Sequence, residues 1–133
     1  MTPLLLLGVS VFGGLGAAAR LLVDGWLRDR FRPRDGLPWG IFGVNVSGSL
    51  LLGLVVGAVL FGSTPSDSAL SEWATVIGVG FCGGYTTFST ALFDSVLLAR
   101  DGRWRAAVGN TLGTVLLTTA AAALGLLLGA TLS

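Results

Sequence analysis

A polar, glycine-rich run, GGYTTFST at residues 83–90, lies inside a long apolar stretch of the 133-residue chain. No charged residue occurs between Trp73 and Phe93, which indicates that the run is buried in a membrane. Adjacent glycines weaken a helix interior. Irregular backbone within a bilayer is tolerated only where protein surrounds it or where it lines a cavity. The run therefore predicts a helix interruption whose free carbonyl and amide groups can bind an ion.

Few other polar side chains fall within apolar stretches. Asn45 could form a hydrogen bond between helices or line a pore, and the sequence leaves both readings open. Asn110, Thr114 and Thr118 recur at intervals of four, which places an amide and two hydroxyls on one face of a helix. A single threonine in such a helix often bonds to its own backbone carbonyls. A row of three polar side chains predicts a lined path instead.

Two charged residues lie toward the ends of apolar stretches. Arg20 could extend its guanidinium to the aqueous interface, or it could anchor the helix or attract anions into a vestibule. Asp94 could face a vestibule or pair with Arg20 or Arg100. No glutamate lies within an apolar stretch, whereas a proton-coupled exporter requires a titratable group at its substrate site.

The composition is that of an integral membrane protein: 53% of residues are hydrophobic, 11% are charged, and the mean hydropathy is +0.83. There is no histidine and only one cysteine, Cys82, which excludes zinc chemistry, disulfide frameworks and Cys-His catalysis. A net charge of +1 argues against a nucleic-acid partner. The first apolar stretch has no basic segment before it, so we expect a retained span and not a cleaved signal peptide.

Four apolar stretches are each long enough to cross a bilayer as a helix. They cover residues 3–23, 38–61, 73–99 and 106–132. Tryptophans lie near their ends, as interfacial aromatic residues do. Paired GxxxG glycines predict close helix packing. The chain is thus predicted to be one all-α integral membrane domain of four transmembrane helices, with a break in the third.

The arginines are distributed unevenly. Seven of them flank or occupy the first and third connectors, and the second connector and both chain ends carry none. The seven are Arg28, Arg30, Arg32, Arg34, Arg100, Arg103 and Arg105. The positive-inside rule then predicts a multi-pass protein of the inner (plasma) membrane, with these connectors in the cytoplasm and both chain ends outside.

Three stretches resemble the CrcB/Fluc family of fluoride channels: GGLGAAAR at residues 13–20, VNVSGS at residues 44–49, and GFCGGYTTFST at residues 80–90. The resemblance implies an antiparallel (inverted) dimer of four-helix subunits with two narrow fluoride pores. It also implies a structural sodium ion at the dimer centre, held by main-chain carbonyls of Gly83 and Thr86 from both subunits. Carbonyl oxygens freed by a broken helix suit a hard cation.

A fluoride pore must replace the water around a small, strongly hydrated anion with closely spaced donors. Asn45 can supply an amide donor, and the positive ring edge of Phe88 can also face an anion. Further donors would be the hydroxyls of Thr87, Ser89, Thr90, Thr114 and Thr118.

The chain departs from the family pattern at one position. The family has two phenylalanines three residues apart, one from each subunit in each pore. Here Phe88 matches the first and Ala91 stands at the second. Phe93 is not a substitute for position 91, because two residues turn a helix by about 200°. The one-sided arginines also disfavour a chain that inserts both ways. We therefore expect either a homodimer or, as these two features favour, a heterodimer with an oppositely oriented homologue.

We expect a passive fluoride channel that lowers cytoplasmic fluoride within the lipid membrane. Such a channel makes and breaks no bond, so an enzyme is not expected. The alternatives are a small four-helix drug/proton antiporter and a non-conducting partner subunit. The missing glutamate and the GGYTTFST run disfavour the antiporter, whereas Ala91 keeps the partner subunit open.

Overall fold

The computed structural model describes residues 2–31, 36–61 and 69–132. These residues form five helices: α1 (Pro3–Phe31), α2 (Trp39–Phe61), α3 (Ala69–Tyr85), α4 (Phe88–Arg100) and α5 (Trp104–Leu132). Four segments are long and apolar enough to cross a membrane, and the third of them, Ser71–Arg100, comprises most of α3 and all of α4. The prediction of an all-α chain with four membrane-spanning helices is confirmed.

The first helix is longer than the apolar stretch that predicted it. α1 continues past Val23 to Phe31. Asp24 and Arg28, one turn apart in this extension, form an ion pair with an oxygen-to-nitrogen distance of 2.9 Å. Arg28 and Arg30 occupy the last turn, where their positive charges interact favourably with the negative end of the helix dipole. These two arginines therefore belong to a helix end and not to a connector, while Arg32 and Arg34 lie outside the described residues.

α2 packs against each of the other four helices, and its closest neighbour is α5. The two run parallel. A Cβ atom at Gly53 or Gly57 would overlap the backbone of α5, and one at Gly125 or Gly129 would overlap the backbone of α2. Glycine permits this approach because it has no side chain to separate the backbones. The two GxxxG pairs at these four positions therefore form the contact between α2 and α5.

A second glycine contact joins α1 to α3, which also run parallel. A Cβ at Gly16 would overlap the carbonyl of Phe81, and one at Gly84 would overlap the carbonyl of Gly13. This contact lies against the last turn of α3. The close packing of α1 thus fixes the point at which α3 ends.

Candidate ion pathway

The third span is interrupted at Thr86 and Thr87, which lie between the end of α3 and the start of α4. Thr87 has an extended backbone, with φ −151° and ψ 122°. In a continuous helix its amide would donate to the carbonyl of Gly83. Here the Thr87 amide donates to Asn45 Oδ1 at 2.8 Å. The carbonyl of Gly83 thereby loses its helical partner.

Asn45 also binds the carbonyl group of the same interruption residue, Thr87. Its Nδ2 donates to the Thr87 carbonyl at 2.8 Å, so the side-chain amide pairs with both backbone groups of one residue. Asn45 lies on α2 and is only 5% exposed. One of its two amide hydrogens is used in this pair. Of the two readings left open by the sequence, the interhelical hydrogen bond is present, and the second hydrogen leaves a donor for a pore.

Hydroxyl groups gather at the start of α4. Thr87 is the N-cap, and its Oγ1 accepts from the Thr90 amide at 3.4 Å. The same oxygen lies 3.1 Å from Thr90 Oγ1 and 3.4 Å from Ser89 Oγ. These contacts satisfy donors at the helix N-terminus. The run of hydroxyl residues therefore begins a helix, and the positive end of its dipole faces the interruption.

A cavity of about 160 Å³ opens beside the interruption. It is lined by Asn45, Ser49, Thr86, Thr87, Phe88, Thr114 and Thr118. Five of the seven residues predicted for the pore are thus brought together from α2, α4, α5 and the interruption. Ser89 and Thr90, the other two, do not line it and lie at the cap instead.

Ser49 is the cavity residue that the sequence analysis missed. It follows Asn45 by four positions on α2, so the two share a helix face. This spacing was the available signal.

The two threonines of α5 differ in how their hydroxyls are used. Thr118 donates to the carbonyl of Thr114 at 2.6 Å, as a threonine inside a helix commonly does. Thr114 is 7% exposed, and its Oγ1 has no hydrogen-bond partner within the described part of the chain. A buried hydroxyl without a partner costs about 1–3 kcal/mol. The cavity therefore contains a donor that is suited to a bound species.

Asn110 separates from the other two residues of the predicted polar row. Its Nδ2 donates to Ser95 Oγ at 2.8 Å and lies 3.3 Å from the carbonyl of Ala91, so it joins α5 to α4. Thr111 also donates to Ser95 Oγ, at 3.0 Å. A step of four residues turns a helix by about 40° beyond a full turn, so two steps turn the face by about 80°. Asn110 and Thr118 consequently meet different neighbours.

The aromatic positions of α4 are arranged unequally. Phe88 lines the cavity, yet 66% of the residue is exposed, so much of its ring is not covered by the rest of the protomer. Ala91 is 6% exposed, and its carbonyl accepts from Ser95 Oγ at 3.1 Å. Position 91 is therefore buried within the protomer. A ring at this position would need space that the surrounding residues now fill.

The two charged residues near the span ends occupy different surroundings. Arg20 Nη1 lies 3.4 Å from the carbonyl of Thr86, so its guanidinium reaches the interruption from α1. Asp94 Oδ2 is buried and has no hydrogen-bond partner among the described residues. Over residues 2–31, 36–61 and 69–132, the ion pair present joins Asp24 to Arg28, and neither Arg20 nor Arg100 pairs with Asp94.

Backbone oxygens are the groups here that could hold a cation. The described residues contain no cluster of three or more His, Cys, Asp or Glu side chains. Gly83 is exposed, and no atom lies within 4 Å of the place where its Cβ would be. Its carbonyl lacks a helical partner, and the Thr86 carbonyl accepts, within the described ranges, one long contact of 3.4 Å from Arg20. Neutral oxygens of this kind fit a hard cation.

Known proteins are similar to this chain over nearly its full length. A family model described as CrcB-like protein, Camphor Resistance (CrcB), matches residues 7–126. The protein named fluoride-specific ion channel FluC 1 of Leifsonia xyli subsp. xyli is 46% identical over 129 residues, which cover 97% of this chain and 89% of the relative.

Two further relatives are also named fluoride-specific ion channels. FluC 1 of Symbiobacterium thermophilum is 45% identical over 121 residues, covering 91% of this chain and 94% of the relative. FluC of Syntrophotalea carbinolica is 39% identical over 121 residues, covering 90% and 93%. With four membrane-spanning helices, a broken set of helical hydrogen bonds and a family match across most of its residues, this multi-pass plasma-membrane protein belongs to the CrcB family.

Proposed function

We propose that the chain forms a fluoride channel through which fluoride leaves the cell passively. The observation that carries the proposal is the buried Thr114 hydroxyl, which has no hydrogen-bond partner among the described residues and lies in the cavity beside Asn45 and Phe88. The names of the relatives support fluoride as the permeant ion. Passive transport makes and breaks no bond, so the chain is not an enzyme.

The cavity supplies donors that replace water around a small anion. Thr114 offers a hydroxyl hydrogen, and Asn45 offers the amide hydrogen that its pair with Thr87 leaves over. Because that pair fixes the plane of the Asn45 amide, the spare donor is oriented before an ion arrives. The edge of the Phe88 ring and the N-terminal end of α4 add positive potential without a buried charge.

Replacement of the Thr114 hydroxyl tests this function. Thr114→Val keeps the shape of the side chain and removes its donor. A hydrogen bond to a charged group contributes about 1.5–3 kcal/mol, so we expect fluoride efflux to fall about tenfold or more. Thr119→Val is the matched control, because Thr119 is exposed on the same helix and donates to its own helix at Val115. Efflux from liposomes, followed with a fluoride electrode, should separate the two; equal efflux would contradict the proposal.

A structural sodium ion would be held by the carbonyls of Gly83 and Thr86 from two inverted subunits. The free carbonyl at Gly83 supports this assignment, as does the open space around that glycine. The Thr86 oxygen has two lone pairs, so contact with Arg20 leaves one for the ion. When bound, the ion would supply a fixed positive charge that joins the two interruptions. Thermal unfolding in sodium against a bulky organic cation tests the assignment, since sodium should raise the melting temperature.

The second subunit would be a copy of this chain or an oppositely oriented homologue. Ala91 favours the homologue, because its small side chain is buried within the protomer and gives no ring to the partner's pore. The same observation supports a second candidate function. The chain could complete one conducting pore of a heterodimer and leave the other impaired.

A further inference from the structure

A second cavity lies at the arginine-rich end of the bundle, which is the end where α1 and α4 finish and α2 and α5 begin. Its volume is about 280 Å³, and its wall is almost wholly apolar. Its lining includes Leu37 and Pro38 just before α2, Trp39 and Phe42 at the start of α2, and Ala106, Gly109, Asn110 and Gly113 on α5. None of them lines the candidate ion pathway.

The cavity exists because α2 and α5 touch closely at one end and separate at the other. Toward their C-terminal ends the paired glycines bring the backbones into contact. Toward their N-terminal ends, no atom lies within 4 Å of a Cβ built at Gly109, and the Gly113 position meets only the Phe42 ring at 4.0 Å. Trp39 and Phe42 form an edge-to-face pair with ring centroids 5.7 Å apart on the opposite wall. The result is a wedge with a glycine floor and an aromatic wall, suited to a narrow hydrocarbon chain.

A positive charge lies at the mouth of this wedge. Arg103 is part of its lining and is exposed. No carboxylate pairs with its guanidinium in the part of the chain that the structure describes. A Cβ at Gly36 would lie 3.3 Å from Arg103 Nη1, so the guanidinium rests beside the connector that leads into α2. Exposed Trp39 and Trp104 lie at the same end, which indicates that the mouth is at the level of the lipid headgroups.

We propose that this wedge binds an anionic phospholipid, with one acyl chain between α2 and α5 and the phosphate on Arg103. Basic pockets between transmembrane helices on the cytoplasmic side bind anionic headgroups in other membrane proteins. A second copy of this chain could cover the apolar wall. Its apolar outer surface, however, would leave the guanidinium of Arg103 without an anionic partner. Phosphate satisfies it with two parallel hydrogen bonds. The lipid therefore accounts for both the apolar wall and the charge.

Tryptophan quenching by brominated lipids tests the proposal in vesicles. Trp26, Trp73 and Trp104 are replaced by phenylalanine, so that Trp39 in the wedge is the one remaining fluorophore. The protein is placed in phosphatidylcholine vesicles that contain a small fixed fraction of brominated phosphatidylglycerol or brominated phosphatidylcholine. We expect the phosphatidylglycerol to bind about fivefold more tightly at Trp39, because one juxtamembrane arginine contributes roughly this preference.

Two matched arginine variants separate a site from general attraction. Arg103→Gln should reduce the preference to near one, whereas Arg105→Gln, an exposed arginine at the same end that does not line the wedge, should retain most of it. Gly109→Leu fills the floor and should reduce quenching by both lipids; if it does not insert, the arginine pair alone decides. Equal quenching by the two lipids, or equal loss in both arginine variants, would overturn the proposal. So would a Trp39 that neither lipid quenches, which would indicate cover by a second copy.

Discussion

One asparagine replaces the hydrogen bonds that the interrupted third span gives up. Asn45 accepts from the amide of Thr87 and donates to its carbonyl, both at 2.8 Å. Backbone groups buried without partners are costly in a membrane, where water does not reach them. The asparagine thus makes the extended residue tolerable at this depth. A side chain that could have been only a pore lining is also a structural support for the helix break.

Removal of this support should cost both stability and conduction. Asn45→Ala leaves the amide and the carbonyl of Thr87 without partners, so we expect a loss of about 2–5 kcal/mol in unfolding free energy. Fluoride efflux should fall together with it, since the spare amide donor is lost as well. Asn110→Ala is the comparison: it breaks the bonds to Ser95 and Ala91 but leaves the cavity lining complete. Unfolding in detergent and efflux per amount of folded protein would measure the two effects. Equal efflux losses in both variants would refute a donor role for Asn45.

The guanidinium of Arg20 should matter through its contact with the interruption. Arg20→Met keeps the apolar length of the side chain and removes the donor to the Thr86 carbonyl. The 3.4 Å distance and partial burial point to a modest stability loss of about 1 kcal/mol. Fluoride efflux should decrease by more than this loss of unfolding free energy alone would cause, because a positive charge near the cavity is also removed. Arg28→Met is the control, since Arg28 pairs with Asp24 on the same helix. The expectation fails if both variants conduct alike.

At the scale of elements, the third span is two helices whose ends are fixed by neighbours on both sides. Gly16 and Gly84 allow α1 to lie against the last turn of α3, and Thr87 caps the first turn of α4. Gly83, the adjacent residue, is exposed on the surface of the protomer, and a Cβ there would meet no other atom. The two neighbouring glycines therefore have different roles: Gly84 allows a helix contact, and Gly83 leaves the surface beside the interruption open.

A pair of alanine variants should distinguish these roles. Gly83→Ala meets no atom in the protomer, and alanine is about 1 kcal/mol better than glycine inside a helix, so the protomer should keep its stability. If Gly83 faces a second subunit across a cation, the same change should weaken dimerisation and the stabilisation by sodium. Gly84→Ala overlaps the carbonyl of Gly13 and should cost about 1–3 kcal/mol in the protomer itself. Size-exclusion chromatography and thermal unfolding would measure this; a Gly83 variant that dimerises normally and still responds to sodium would exclude the assigned site.

The sequence predicted the elements better than the partners of individual residues. The four apolar stretches located the four spans, because the length of a bilayer crossing is a local property of the sequence. The GGYTTFST run, for which an interruption was predicted, contains the gap between α3 and α4. The pairing of Asn45 with Thr87 joins residues that are far apart in sequence, which a single sequence does not encode in its periodicity. The three polar residues of α5 do not share one surface, because residues four apart turn progressively around the helix. Asn110 therefore contacts α4, whereas Thr114 and Thr118 line the cavity. The turns of α1 beyond Val23 were missed because polar helix ends resemble connectors.

At the scale of the whole molecule, the protomer leaves its candidate ion pathway open. The cavity is lined from one side by Phe88, whose ring is largely exposed, and Gly83 is exposed as well. Most of the outer surface is apolar, as lipid contact requires. A second subunit that approaches the interruption would enclose the cavity. The lipid wedge lies elsewhere, between the N-terminal ends of α2 and α5, so the two surfaces do not compete.

The arginines make the last prediction one about orientation. The described arginines outside the α1 interior lie at a single end of the bundle: Arg28, Arg30, Arg100, Arg103 and Arg105. Such a bias fixes one insertion direction, whereas an inverted homodimer needs both. We therefore expect reporters fused to the C-terminus to show one orientation only, with that end outside the cytoplasm.

The same argument predicts little conduction from the chain alone. Liposomes that contain this chain alone should release fluoride at least about tenfold more slowly than liposomes that also contain an oppositely oriented homologue. In the chain alone each pore would lack one phenylalanine ring facing the anion. A tenfold change in rate corresponds to about 1.4 kcal/mol in the barrier. Ala91→Phe in the isolated chain should not restore efflux, since position 91 is buried within the protomer and overpacking a core is destabilising. Full efflux from the chain alone, with both orientations detected, would establish a homodimer and would make the arginine distribution irrelevant to assembly.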